Sequence, residues 1–253
     1  MRRPALAALV AVTALAVLIL AANGAPGTQA AKPPPRTFHS GFESVAAFAG
    51  MYISPQTAST RHGLVSWPRH RGALAHCGWI TGPGTSADTD GPNHRGYPTA
   101  QLYRLPPGGG FATPAVIRLW VWADVAMAPG QWVSLATLSS DSSDRWSRVV
   151  TVNLDPGGWI NVFHVPVQGA HDPQFETHRR FPMRRWVKLT IRIDFDPDHG
   201  FIAVRQNNHL VARAAVRGGR GFLEQAHFGM YAIPSLTAGK VCNDNLKIVA
   251  ARS

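Results

Sequence analysis

Between Trp186 and Ala212 the chain alternates apolar and polar residues with period two. Val187, Leu189, Ile191 and Ile193 are apolar, and Lys188, Thr190, Arg192 and Asp194 fall between them. An extended strand sends successive side chains to opposite faces, so this stretch predicts a strand with one buried side. Asp196-Pro197-Asp198-His199-Gly200 reads as a turn, Phe201–Arg205 as a second alternating strand, and Asn207-Asn208 as a tight turn into Leu210–Ala212. Further strands are predicted over Pro98–Leu105, Ala115–Val125, Gln131–Leu138, Val149–Leu154 and Trp159–Val165. Turn chemistry separates them at Pro106–Gly110, Ala128-Pro129-Gly130, Ser139–Asp144 and Asp155–Gly158. Many short strands at this spacing predict an all-β, antiparallel β-sandwich rather than an α/β sheet. Helical periodicity is confined to short turns around Ser44–Gly50 and Gly221–Gln225.

The first thirty residues break the pattern. Arg2 and Arg3 precede an uncharged apolar run from Ala5 to about Ala22, and Thr28-Gln29-Ala30 offers small residues for cleavage. Residues 1–30 therefore read as a secretory signal peptide, with a retained membrane anchor as the alternative. Pro33-Pro34-Pro35 marks residues 31–37 as a stiff linker, leaving residues 38–253 for a single sandwich domain. The expected location is outside the cell or in its envelope. Cys77 and Cys242 suit an oxidising compartment and are expected to pair, two buried thiols being the alternative. Such a bridge closes a loop of 165 residues, which chain entropy values at roughly 5 kcal/mol.

Charge narrows the partner. The chain holds 25 Lys+Arg against 14 Asp+Glu, a net of +11. Without Arg2 and Arg3 the count is 23 against 14, or +9. Only four of the cations are Lys, and Arg meets carboxylates bidentately and desolvates more easily than Lys. A basic exported sandwich suits an acidic polysaccharide, a cell-wall glycan or a membrane surface. Nucleic acid is disfavoured, because no basic helix or aromatic RNA-binding motif is present. A monomer is expected, touching a membrane only through an uncleaved signal segment.

Candidate chemistry lies on the strand from Arg95 to Tyr103. Arg95, Tyr97, Thr99, Gln101 and Tyr103 share one face, and Ala100 and Leu102 point the other way. Arg and Gln neutralise a uronate carboxylate and so acidify its carbon-5 proton. A Tyr or His then removes that proton and protonates the leaving oxygen. The long polar stretches 82–96 and 166–182 are placed to shape a cleft. Trp120 and Trp122 flank Val121 on one strand face, where they stack on sugars or, more commonly, pack between sheets. Glu43, in Phe42-Glu43-Ser44, and Asp244, in the closing Cys242–Ile248 segment, are candidate ligands for a structural calcium, against plain hydrogen bonding. No other cofactor is required. Asp194, Asp196 and Asp198 read as a hairpin turn before a calcium loop.

The Trp-led strand, the hairpin and the Gly-x-Tyr strand at Gly229–Tyr231 resemble the second half of concanavalin A-like jelly rolls. More distantly, the chain is similar to jelly-roll alginate lyases. Those carry an Arg-Ser/Thr-Glu-Leu/Asn-Arg strand, a Gln-Ile/Val-His strand and a Tyr-Phe-Lys-Ala-Gly-Val/Ile-Tyr strand. Arg95 or Arg104 stands near the first, and His227-Phe228-Gly229-Met230-Tyr231 resembles the last. The strand Gln131–Leu138 offers no His for the middle motif, and His164, in Asn161-Val162-Phe163-His164, is its substitute, with a hydrogen-bonded core His on the face of Ile160 and Val162 as the favoured alternative. The resemblance implies a jelly-roll polysaccharide lyase cleaving a uronic-acid polymer by β-elimination. Tyr231, His164 and Tyr97 would serve as acid and base, Arg95 and Gln101 as carboxylate neutralisers, and Tyr103, Lys188, Arg192 and His227 as substrate contacts. A non-catalytic, lectin-like carbohydrate-binding module is the alternative. A glycoside hydrolase is less supported, since after Glu43 only Glu176 and Glu224 remain as glutamates and retaining chemistry needs paired carboxylates.

Overall fold

The period-two alternation is realised as two antiparallel sheets packed face to face. The computed structural model describes residues 37–48, 51–53, 59–84, 98–104, 110–142, 148–166, 174 and 176–250. The predicted signal segment and all but the last residue of the linker lie outside that set. Strands β1 (Thr37–Ser40), β2 (Met51–Ile53), β3 (Thr60–Val65), β4 (Ala75–Ile80) and β5 (Pro98–Gln101) come first. They are followed by β6 (Phe111–Ala112), β7 (Ala115–Asp124), β8 (Val133–Ser139), β9 (Val149–Leu154) and β10 (Ile160–Val165). The last are β11 (Val187–Asp194), β12 (Phe201–Gln206), β13 (His209–Ala215), β14 (Phe222–Leu223), β15 (Gln225–Ala232) and β16 (Gly239–Ala250).

The back sheet runs β13-β12-β11-β7-β16-β4-β3, with β1 also paired to β16. The front sheet runs β10-β9-β8-β15-β5-β2, and β14 with β6 makes a short ribbon. Ile117, Leu119 and Val121 of β7 and Leu189, Ile191 and Ile193 of β11 line the inner side of the back sheet. Leu138, Val150, Val152, Leu154, Phe228 and Met230 meet them from the front, in one continuous buried cluster. This burial is the main stabilising term of the fold. The last strand thus sits at the centre of the back sheet, between β7 and β4. Folding therefore requires the C-terminus to return across the whole domain.

Turn residues behave as their chemistry requires. Asn207 and Asn208 adopt φ of 48° and 71°, the left-handed pair of a tight hairpin that Asn tolerates better than most residues. Asp196 Oδ1 accepts the Asp198 and His199 N–H groups at 2.9 and 2.7 Å, so this carboxylate serves the β11–β12 hairpin. The Ser44–Gly50 turn contains a 3₁₀ helix at Val45–Phe48. Gly221–Gln225 holds no helical turn. Phe222 and Leu223 pair instead with Ala112 and Phe111, and that ladder satisfies the backbone groups a turn would have satisfied internally.

Two further devices close the sandwich. Cys77 and Cys242 stand opposite each other on β4 and β16 and are bonded. At the opposite edge Gln174 exchanges backbone hydrogen bonds with Val162 of β10, and Glu176 and Thr177 donate to Val211 of β13. The strap covers strand edges that would otherwise invite another chain.

Candidate functional site

Register defines the outer face of the front sheet. One row runs Val149, Ser139, Gln225 and Gln101 across β9, β8, β15 and β5. The next runs Phe163, Thr151, Thr137, His227 and Thr99, with Tyr52 at the following register position on β2. A third runs Asn161, Asn153, Ser134 and Tyr231. Side chains in the rows between, such as Val150, Leu138, Ala226 and Ala100, face the core. Most of the outer rows are polar, yet Thr99, Ser134, Thr137, Ser139, Thr151, Asn153, Asn161 and Gln225 are all buried. His227 and Tyr231 are the half-exposed exceptions on β15.

β15 shapes the space between those two. Phe228 pairs with Ala136 and Tyr231 with Ser134, so three steps on β15 match two on β8, a β-bulge. Gly229 supplies the φ of 105° at this point, which a side chain would strain. It also leaves a gap between His227 and Tyr231. Ser134, Thr137, His227, Gly229 and Tyr231 line the resulting small pocket. The Tyr231 ring leans on Trp132, centroids 5.4 Å apart.

A hydrogen-bond chain orients His227. Arg148 Nη1 and Arg220 Nη2 lie 3.2 and 3.7 Å from Asp141 Oδ2. Gln225 Nε2 donates to the Asp141 carbonyl at 3.0 Å, and Gln225 Oε1 stands 3.1 Å from His227 Nε2. Since the amide oxygen only accepts, Nε2 carries the proton, and Nδ1 is the basic nitrogen of the neutral ring. Nearby, burial pushes the Glu224 carboxyl up and Arg220 opposes it.

Several sequence-predicted residues are placed elsewhere. His164 pairs with Val150 and shares the face of Val162 and Ile160. It is 2% exposed and points to the core, away from Tyr231. Lys188 and Arg192 alternate as predicted, but on the outer side of the back sheet, beside Trp120 and Val116 of β7. The whole sandwich separates them from His227. The predicted strand through Tyr103 ends at Gln101, and Leu102–Arg104 turn as a 3₁₀ helix. Tyr103 therefore leaves the row of Thr99 and Gln101, its N–H going to the Glu224 carbonyl. Arg95 and Tyr97 lie outside the described residues. Gln101, His227 and Tyr231 remain together on one face. Gln225 and Asp141 are additions: the alternation Gln225-x-His227-x-Gly229-x-Tyr231 makes Gln225 available, whereas Asp141 reaches it only through a contact 84 residues apart.

Glu43 and Asp244 clamp the loop 66–74 onto the back sheet. Glu43 Oε2 accepts the Ala73 and Leu74 N–H groups at 2.8 and 3.1 Å. Asp244 Oδ2 accepts those of His70 and Arg71 at 2.9 Å each, and Oδ1 accepts Asn245 Nδ2 at 2.9 Å. Burial pushes the Asp244 carboxyl up while its amide donors oppose this. Among the described residues no cluster of three His, Cys, Asp or Glu is placed to hold a metal. Both acids make the plain hydrogen bonds that were the alternative to calcium.

No protein-family model and no curated protein sequence matches the chain. Solved structures share its fold. The cellulose induced protein Cip1 superposes with a TM-score of 0.59 at 13% identity, over 85% of this chain and 98% of that one. An endo-β-1,4-glucuronan lyase from the fungus Trichoderma reesei gives 0.59 at 11%, over 86% and 96%. A glycosidic hydrolase gives 0.56 at 9%, over 88% and 99%. The jelly-roll β-sandwich that the sequence resembles is therefore the fold of this chain. Identities this low speak to the fold alone.

Proposed function

We propose that the protein is a carbohydrate-active enzyme that cleaves an acidic, uronic-acid polysaccharide by β-elimination on the outer face of the front sheet. The observation that carries this is that His227 and Tyr231 flank a gap at Gly229, on the face that also carries Gln101. In this reading a uronate ring lies across the gap. The Gln101 amide draws its carboxylate and acidifies the carbon-5 proton. His227 Nδ1 takes that proton, and the Tyr231 phenol protonates the departing glycosidic oxygen. The buried hydroxyls and amides beneath fix the floor, so little reorganisation accompanies the reaction. The fold shared with a glucuronan lyase supports a uronate substrate, as does the net charge of +11. We place this activity outside the cytoplasm, a reading supported by the apolar N-terminal segment and the Cys77–Cys242 bridge.

The test is ultraviolet absorbance of the protein incubated with alginate, glucuronan, hyaluronan, heparin and chondroitin. Elimination creates a conjugated double bond, so a rising signal with one polymer is expected and names the substrate. A flat signal across the panel, with retention on one of these polymers in an affinity gel, would replace the enzyme by a binding module. One observation favours that second reading: β8 presents Ser134, Thr137 and Ser139 to the face, and none of these is an acid or base near neutral pH.

A further inference from the structure

The outer face of the back sheet carries indoles and cations where the front carries hydroxyls and amides. Lys240 of β16 stands opposite Trp79 of β4, and Cys242 opposite Trp122 of β7. The clamped loop brings a third indole to this group: Trp67 meets Trp122 at 6.0 Å and 68°, edge to face. The Lys240 ammonium lies 6.0, 5.7 and 5.8 Å from the ring centroids of Trp67, Trp79 and Trp122, within cation–π range of all three.

These indoles are not used alike. Trp122 is 5% exposed and packs on the disulfide, so its role is structural. Trp67 is 72% exposed, and folding gains little from an indole left in water. Its loop is nonetheless held by four backbone amides on two carboxylates. A large apolar ring presented by a pinned loop is preorganised for a partner at low entropic cost. The local charge selects that partner. Asp124, opposite Lys240, is engaged by Arg184 at 2.9 Å, Asp244 is fully buried, and Glu43 is committed to amides, while Lys240 lies against the rings.

We propose that Trp67, Trp79 and Lys240 form a second glycan-binding platform, which holds a uronate polymer on the side of the sandwich opposite the front face. The apolar C–H face of a pyranose stacks on Trp67, and Lys240 meets its carboxylate. The polymer class rests on the front-face reading, and the site itself does not. A platform of this kind raises the local concentration of polymer without taking part in its cleavage.

The test is affinity electrophoresis in gels containing glucuronan, with Tyr231→Phe as the parent so that the polymer survives the run. Trp67→Ala in that parent is expected to weaken retention about tenfold, a change of about 1.4 kcal/mol, with an unchanged thermal midpoint. Lys240→Gln is expected to weaken retention on glucuronan and leave any retention on a neutral soluble glucan untouched. Unchanged retention of Trp67→Ala, or no retention of the parent on any polyuronate, would overturn the platform. Loss of binding to anionic phospholipid vesicles without loss on glucuronan would overturn it in favour of a membrane. If absorbance never rises for the unsubstituted protein while Trp67→Ala still loses retention, the front-face reading fails and the platform stands.

Discussion

The two outward faces of this sandwich start from the same alternation and end differently. On the front sheet the described outward rows are mostly buried hydroxyls and amides, with His227 and Tyr231 left half open around Gly229. On the back sheet the outward rows are indoles, cations and a disulfide, covered by a loop that two carboxylates pin. Buried hydroxyls and amides give a rigid, dipole-lined floor, which suits chemistry on a charged ring. An exposed indole on a pinned loop gives adhesion instead, and the covalent bridge beneath it gives mechanical closure. An outward-facing strand position is therefore not simply a solvent position: what covers it decides whether it serves reaction, binding or stability.

The largest way to break this contrast is to remove the bridge. Replacing both Cys77 and Cys242 by Ala is expected to cost about 2–5 kcal/mol, as for disulfides that close long loops, read as a lower urea midpoint. Comparable losses are not expected from the front face. There, His227→Ala and Tyr231→Phe should each lower turnover roughly 10²–10⁴-fold with the thermal midpoint almost unmoved. A fall in midpoint matching the bridge variant would return both residues to a structural role.

A smaller effect tests the clamp. Gly72 has φ +68°, and a Cβ there would lie 1.7 Å from Glu43 Oε1. Gly72→Ala should therefore lose about 1–3 kcal/mol from the left-handed backbone and the displaced carboxylate. Glu43→Gln, which keeps an acceptor, should lose less.

The smallest effect per step is a pH slope. His76 lies at 1% exposure among Phe42, Phe48 and His62, with no hydrogen-bond partner at either ring nitrogen. Burial, helped by His62, lowers it from 6.5 to about 3. A depressed folded value means that its contribution is complete above the unfolded value of 6.5. The contribution is lost as pH falls from there towards about 3. Stability should thus drop by up to about 1.4 kcal/mol per pH unit in that window. His76→Phe should flatten the slope in urea titrations at pH 7, 5 and 4. An unchanged slope would assign the acid sensitivity to another group.

Strand by strand, the alternation at Val187–Asp194 and Phe201–Arg205 was readable because packing one face of a strand leaves a period-two trace in composition. The Asn207-Asn208 turn was readable because few side chains tolerate positive φ. Tyr231 and His227 were readable as neighbours on a Gly-x-Tyr strand. His164 shares its face with Ile160 and Val162, so the alternation favoured a core position over a catalytic one, and that is where it lies. Lys188 and Arg192 were misplaced because alternation does not say to which sheet a strand belongs. Trp120 and Trp122 were expected between the sheets, yet they face outward, since Leu119 and Val121 take the core side.

The sequence by itself determined the all-β class, the positions of most strands, the tight turns and the basic character of the surface. These follow from local sterics, side-chain periodicity and charge, which act over a few residues. Tertiary structure alone decided which strands neighbour each other, which face of each is buried, that Glu43 and Asp244 clamp a loop, and that Gln101, Gln225, His227 and Tyr231 meet. Most of those outcomes depend on contacts between residues well separated in the chain, from 30 positions for Glu43 and Ala73 to 174 for Asp244 and His70. Such contacts form only when the domain closes on itself, and no local pattern encodes them.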